Sequence, residues 1–161
     1  MMNQRSYCLF GFLCCAGLVG AALYYQHVDG LEPCPLCIFQ RIAFILMGAV
    51  FLIALVHNPR RTGMSIYGAL AAVIGVCGLA IAARHVWLQN APEDRVPECG
   101  PGLDYMMEVL PFRQMLEKVL KGSGECAEVV WTFLGLSMPT WSLIWLIALT
   151  AVCVPLVFSR R

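Results

Sequence analysis

Two cysteines lie two residues apart in Glu32-Pro33-Cys34-Pro35-Leu36-Cys37-Ile38-Phe39-Gln40-Arg41, where a polar loop runs into a long apolar segment. A Cys-x-x-Cys pair closes a small ring, and opening and closing that ring is reversible two-electron chemistry. A helix starting near Pro35 suits proline's fixed φ and missing N–H. Its positive end then favours the thiolate form of the nearby sulfurs. Arg41 follows Cys37 by four residues and shares its helix face. Its charge would steady a thiolate or donate to an oxygen ligand; the plainer reading is a cation snorkelling at the end of a membrane span.

Two further cysteines have polar surroundings. Cys99 sits in Pro97-Glu98-Cys99-Gly100-Pro101 and Cys126 in Gly122-Ser123-Gly124-Glu125-Cys126. The prolines and glycines predict mobile, exposed loops. The pair is either a structural disulfide closing this loop or a second redox pair that exchanges electrons with the first. The other five, Cys8, Cys14, Cys15, Cys77 and Cys153, lie within apolar runs and are expected as small buried hydrophobes. Nine cysteines with no second Cys-x-x-Cys, and with His27, His57 and His85 far apart, favour thiol chemistry over a metal centre. His85 follows Arg84 at the end of an apolar run and reads equally as an interfacial residue or a site residue.

The elements that hold these residues belong in lipid. The 161-residue chain is 60% hydrophobic and 13% charged, with mean hydropathy +0.73; soluble domains carry about 25% charged residues. A net charge of +1 offers nothing to nucleic acid. Spans are expected at about 7–25, 38–56, 64–83 and 141–158, in a single domain covering residues 1–161. The first is 19 residues without a charge, roughly 28 Å of helix against a hydrocarbon core of about 30 Å. Its length and the three spans that follow favour a retained helix over a cleaved signal peptide. Loops of about 26–37 and 84–140 hold all ten Asp and Glu residues, whereas Arg5, Arg60, Arg61, Arg160 and Arg161 flank the other side. By the positive-inside rule both termini are cytoplasmic and the loop cysteines face the oxidising side. Within the second loop, Pro111 to Lys121 predicts a short amphipathic helix, with Phe112, Met115, Leu116, Val119 and Leu120 on one face, suited to the interface plane. The fold expected is therefore all-α: an integral membrane four-helix bundle with two loops on the outer, oxidising side, the second carrying the short amphipathic helix.

Several features together are specific. They are the four spans, Cys-Pro-Leu-Cys-Ile-Phe-Gln-Arg, Cys99 and Cys126 in the second outer loop, Ser-Gly-Glu-Cys-Ala-Glu, and Trp131 through Trp141. Over essentially its whole length the chain resembles the disulfide bond formation protein B family (DsbB). The resemblance implies a bacterial inner-membrane thiol:quinone oxidoreductase. It would reoxidise a periplasmic thioredoxin-fold dithiol oxidase (DsbA-like) and pass the electrons to ubiquinone or menaquinone. By motif position, Cys99 would be attacked by the partner's thiolate, and Cys126 would then exchange with Cys34. Cys37 would be left facing the quinone, with Arg41 and His85 nearby. The Cys-Pro-Leu-Cys dipeptide is one of several that the family uses. Two other classes compete: a non-catalytic four-span scaffold resembling tetraspanins, and an enzyme resembling the vitamin K epoxide reductase family. In the scaffold class the adjacent cysteines belong outside the membrane, whereas Cys14-Cys15 lies within a span. In the reductase class the Cys-x-x-Cys falls in a late span, whereas here it precedes the second.

Overall fold

In the computed structural model, residues 4–97 and 103–158 are described. Four long helices dominate: α1 (Gln4–Val28), α2 (Pro35–His57), α3 (Arg61–Gln89) and α7 (Met138–Val157). All four are long and apolar enough to cross a membrane. Between α3 and α7 lie α4 (Leu103–Val109), α5 (Phe112–Lys121), the single turn α6 (Gly124–Ala127), and two short antiparallel strands, β1 (Thr132–Phe133) and β2 (Leu136–Ser137). The architecture is an all-α membrane four-helix bundle.

Packing follows chain order. α2 lies against α1 and α3, and α3 against α7, while α1 and α7 approach each other at few points. The core is built from Cys8, Cys15, Met47, Phe51, Met64, Ala71, Leu146, Leu149, Cys153 and Leu156. Small residues let the helices approach, as expected where burial in lipid supplies little drive. A Cβ on Gly68 would come within 2.8 Å of the Leu156 Cβ and 3.2 Å of its carbonyl carbon. Outward, Leu13, Ile45, Ile53, Ile66, Val73, Val76 and Ile147 are all exposed. An apolar exterior of that extent needs hydrocarbon as its solvent.

The helix that carries the third expected span runs on past Ala83 to Gln89, and one expectation about the cysteines changes. Arg84 and His85 end the apolar run in the sequence, yet a charged residue does not end a helix, and Leu88 pays for its ordering by complete burial, at 1% exposed. Cys77 is exposed on the outer face of α3 rather than buried; a weakly polar thiol is at home against lipid, so an apolar run alone does not say which way it points. Cys8, Cys15 and Cys153 are buried and Cys14 is half-buried.

A second apolar cluster caps one end of the bundle. It joins Leu36 of α2, Leu88 of α3, Met106 of α4, Met115 and Val119 of α5, and Cys126 of α6. The amphipathic helix thus forms where expected, with Met115 and Val119 packed onto protein while Leu120 stays exposed. α5 ends at Gly122, whose φ of 82° suits glycine and brings its backbone directly over Leu88.

Candidate active site

The site begins at the first turn of α2. Cys34 is the N-cap (φ −64°, ψ 161°) and Pro35 the first helical residue, so Cys37 lies in the opening turn. Leu36 between them is fully buried and pins this turn into the capping cluster. The two sulfurs therefore sit at a helix N-terminus, where the macrodipole favours negative charge.

The extension of α3 delivers His85 to this turn, where it is 2% exposed. Its Nε2 lies 3.7 Å from the Cys34 Sγ and its Nδ1 4.0 Å from the Cys37 Sγ. Gln40, equally buried, donates from Nε2 to His85 Nδ1 at 3.0 Å. Nδ1 is then an acceptor, and the ring proton belongs on Nε2, directed at Cys34. The imidazole bridges the two thiols. Gln40 is the site residue that sequence reasoning missed; its signal was a lone amide inside an apolar helix, where an unpaired one would be costly.

Cys126 arrives from the other direction, on α6. Contrary to the expectation of an exposed loop, it is 1% exposed and packs with Leu36 in the capping cluster. The glycines of Gly122-Ser123-Gly124 bend the chain tightly enough to turn Cys126 inward. Its thiol lies against that of Cys34, and the Ser123 Oγ is 3.7 Å away. The hydrogen bond with Cys34, burial and the charge on Cys34 all raise its pKa above the ordinary thiol value, so it holds its proton at neutral pH. Cys99, the fourth expected site cysteine, lies outside the described residues.

Arg41 points away from Cys34 toward α1. Its Nη1 donates to the Gln26 Oε1 and its Nη2 to the Ala22 carbonyl at 3.2 Å. The guanidinium thereby ties the end of α1 to the start of α2 and keeps its charge at a fixed place.

Two cavities meet at Cys37 and Arg41. One, of about 340 Å³, opens at the seam where α1 and α7 scarcely touch. Its walls include Leu18, Val19, Ala22, Phe44, Phe133, Trp141 and Trp145, with Cys37, Gln40, Arg41 and Ser142 among the polar groups. The other, of about 720 Å³, is polar and lined by Cys34, Cys37, Arg41, His85, Glu32, Glu125 and Glu128. An aromatic row frames the apolar cavity. Tyr25 and Trp131 rings lie 4.8 Å apart, Trp131 and Phe133 stack at 6.0 Å, and Trp141 donates from Nε1 to the Phe133 carbonyl at 3.1 Å. The hairpin that presents Phe133 turns at Leu134 (φ 52°) and Gly135 (φ 79°). Two consecutive positive φ values make a tight primed turn that matches strand twist. The volume is that of a small-ligand pocket, and an apolar slot with a few convergent polar groups suits a flat aromatic ring with polar oxygens.

Residues 4–156 match the family described as Disulfide bond formation protein DsbB. The chain is 54% identical over 151 residues to Disulfide bond formation protein B of Hahella chejuensis, covering 94% of this chain and 92% of that one. It is 56% identical over 144 residues to the protein of that name from Chromohalobacter salexigens, covering 89% and 84%. The counterpart from Marinobacter nauticus is 55% identical over 136 residues, covering 83% and 81%. With its capped four-helix bundle and paired thiols, the chain belongs to the DsbB family.

Proposed function

We propose that this membrane oxidoreductase of disulfide bond formation works as a thiol:quinone oxidoreductase. In this reading it reoxidises a DsbA-like periplasmic dithiol oxidase and passes the electrons through two cysteine pairs to ubiquinone or menaquinone. The observation that carries the reading is the position of Cys37 and Arg41 on the wall shared by the polar and the apolar cavities. Electrons from a water-borne thiol must reach a lipid-borne acceptor, and that wall is where the two media come closest.

The loop pair Cys99–Cys126 meets the partner: its thiolate attacks Cys99, and Cys126 leaves. Cys126 leaves Cys99 as a thiolate and, before it takes up a proton, attacks the adjacent Cys34–Cys37 disulfide at Cys34. With Cys34 in that disulfide, the charge on Cys34 that favours the protonated Cys126 in the reduced protein is absent. Cys37 departs as a thiolate beside the apolar cavity. Arg41 keeps a positive charge at the mouth of that cavity, anchored by α1 so that its place does not vary. His85 Nε2–H, kept directed at Cys34 by the hydrogen bond that Gln40 donates to Nδ1, supports negative charge on Cys34. Aromatic walls bind a flat ring and exclude water. The partner's second thiol then resolves the mixed disulfide at Cys99, and the partner leaves oxidised. The freed Cys99 thiolate attacks the Cys126–Cys34 disulfide at Cys126, which closes Cys99–Cys126 and leaves Cys34 and Cys37 reduced. A bound quinone would supply the acceptor chemistry, two electrons and two protons passing from that dithiol as the Cys34–Cys37 disulfide is restored. Orientation follows the charge asymmetry: termini cytoplasmic, loop cysteines periplasmic.

The test is quinone reduction by the purified protein, followed by absorbance, with a reduced periplasmic dithiol protein as donor. Wild type turns over, and Cys37→Ser and Cys99→Ser both abolish turnover while the protein stays folded. Turnover retained in Cys37→Ser overturns the relay, and a wild type inert with several quinones and donors favours the non-catalytic scaffold.

A further inference from the structure

The amino-acid sequence has no metal-site spacing because the third ligand comes from a different helix. Cys34, Cys37 and His85 each offer one ligand atom, and these atoms lie within 4.8 Å of one another. We propose that the reduced form of this protein is a redox-gated trap for a thiophilic d¹⁰ divalent cation, with Zn²⁺ the physiological example, bound by Cys34, Cys37 and His85.

The geometry is close to what such an ion requires. Zinc takes thiolate at about 2.3 Å and imidazole at about 2.0–2.1 Å, so neighbouring ligand atoms in a tetrahedron stand roughly 3.5–3.8 Å apart. The Cys34 Sγ to His85 Nε2 separation is already 3.7 Å. The remaining contraction is about an ångström, within reach of a cysteine rotamer change. Cys-x-x-Cys at a helix start is half of many structural zinc sites, since it places two thiolates on one side of the first turn. Ligation through Nε2 takes the other tautomer: Nε2 gives up its proton and Nδ1 carries one. The Gln40 amide turns over so that its Oε1 accepts from Nδ1–H, the outer-sphere contact that a metal-ligating histidine ordinarily makes. An entry path exists as well. The polar cavity that reaches all three ligands carries Glu32, Glu125 and Glu128 against Arg41, the one cation among the described residues that line it, a balance that draws in a divalent cation. The fourth corner is open to water from that cavity.

Binding is not a redox step. Two thiols lose two protons, two metal–sulfur bonds form, and the ion keeps its charge. The Cys34–Cys37 disulfide has no thiolate to offer, so the oxidised protein is blind to the ion. Once ligated, the sulfurs are removed from exchange, and the ring cannot close until the metal leaves. These are the same thiols that the relay above uses, but metal binding needs neither quinone nor partner protein and stands or falls separately.

The test uses the full-length protein in detergent, reduced with a phosphine and then freed of it. Cd²⁺ is followed by its thiolate charge-transfer absorbance, and Zn²⁺ by competition with a chromogenic chelator. The expected result is one ion per reduced chain and none on the oxidised protein. Cys34→Ser and Cys37→Ser each lose the ion, and Cys77→Ser keeps it. His85→Ala weakens binding by about 100-fold or more, beyond what loss of a mere outer-sphere partner costs, and His85→Cys restores it. Zn²⁺ also slows alkylation of Cys34 and Cys37 in the unsubstituted protein, read by peptide mapping, which needs no variant to fold. Equal binding to the oxidised protein overturns the proposal. So does full affinity in His85→Ala, or unslowed alkylation of both cysteines under saturating Zn²⁺.

Discussion

Cys153 and Cys126 are equally closed to solvent, at 0% and 1% exposed, yet they occupy different chemical worlds. Cys153 lies toward the C-terminal end of α7, its Sγ donating to the Leu149 carbonyl one turn back at 3.3 Å, among Leu146, Leu149 and Leu156. Cys8 and Cys15 share that core, but the thiols there are walled in by apolar side chains. Cys8 is similar, its sulfur 3.7 Å from the Met64 Sδ. Cys126 lies against a second thiol, with a serine hydroxyl beside it and a histidine behind that thiol. Burial is common to both, so burial does not decide reactivity. What decides it is whether the neighbours include another sulfur, a proton acceptor and a cavity through which a reactant arrives.

That contrast can be broken first at Cys37. Cys37→Ser should reduce quinone turnover by about 1000-fold or more, because the sulfur itself is the reacting atom. The combined change Cys8→Ala, Cys15→Ala and Cys153→Ala should leave turnover within about twofold of wild type and cost about 1 kcal/mol per site in stability, as small cavities do. A comparable loss of turnover in both proteins would show that the core sulfurs take part. Gln40→Leu sharpens the contrast from the histidine side. It deprives His85 Nδ1 of its donor, at about 1–3 kcal/mol for a buried group left unpaired; thermal unfolding reads that cost. Its turnover should fall by about tenfold, an effect of positioning rather than of the reacting atom. The smallest effect belongs to the surface of the cap. Lys121 Nζ lies 2.9 Å from Glu117 Oε1 one helical turn away, and the hydrogen bond and charge of Lys121 hold the Glu117 carboxyl below its ordinary value. A lowered acid contributes stability that is present above its unfolded value and is lost as pH falls through its folded one. Glu117→Gln should therefore flatten the stability profile slightly on the acid side and nowhere else, as an exposed pair screened by salt permits. Urea unfolding between pH 3 and 7, a range set by the ordinary carboxylate values, checks it.

The four spans were legible because the lipid selects for uninterrupted apolar runs, and the start of α2 because the fixed φ and missing N–H of Pro35 suit the first turn of a helix. Helix ends beyond the membrane were less so: apolarity stops at Ala83, whereas α3 is held to Gln89 by Leu88 and its packing. Cys34, Cys37, Arg41 and His85 were singled out from charge, spacing and family likeness, but their mutual geometry was not. His85 meets the Cys-x-x-Cys turn from another helix, and no linear spacing encodes that. The inward turn of Cys126 was hidden for a related reason: glycines and a serine read as an exposed loop unless the apolar cap that receives Cys126 is known. The β1–β2 hairpin escaped notice because its turn is Leu134-Gly135 rather than the usual Asn-Gly, and a leucine at φ 52° is an unfavourable choice that the flanking aromatic packing must offset.

The overhang of α3 has a mechanical side. Its 29 residues make a rod of about 43 Å, longer than a hydrocarbon core of about 30 Å. Such a helix must tilt or stand proud of the bilayer, and a change in bilayer thickness alters that balance. His85 is near the far tip of the rod, so a small rotation about the opposite end moves the imidazole further than any residue lower down. Close contacts at Gly68, Gly75 and Gly78 hold α3 to α7 along much of its length, so the overhanging tip that carries His85 is the part of the rod with the longest lever arm.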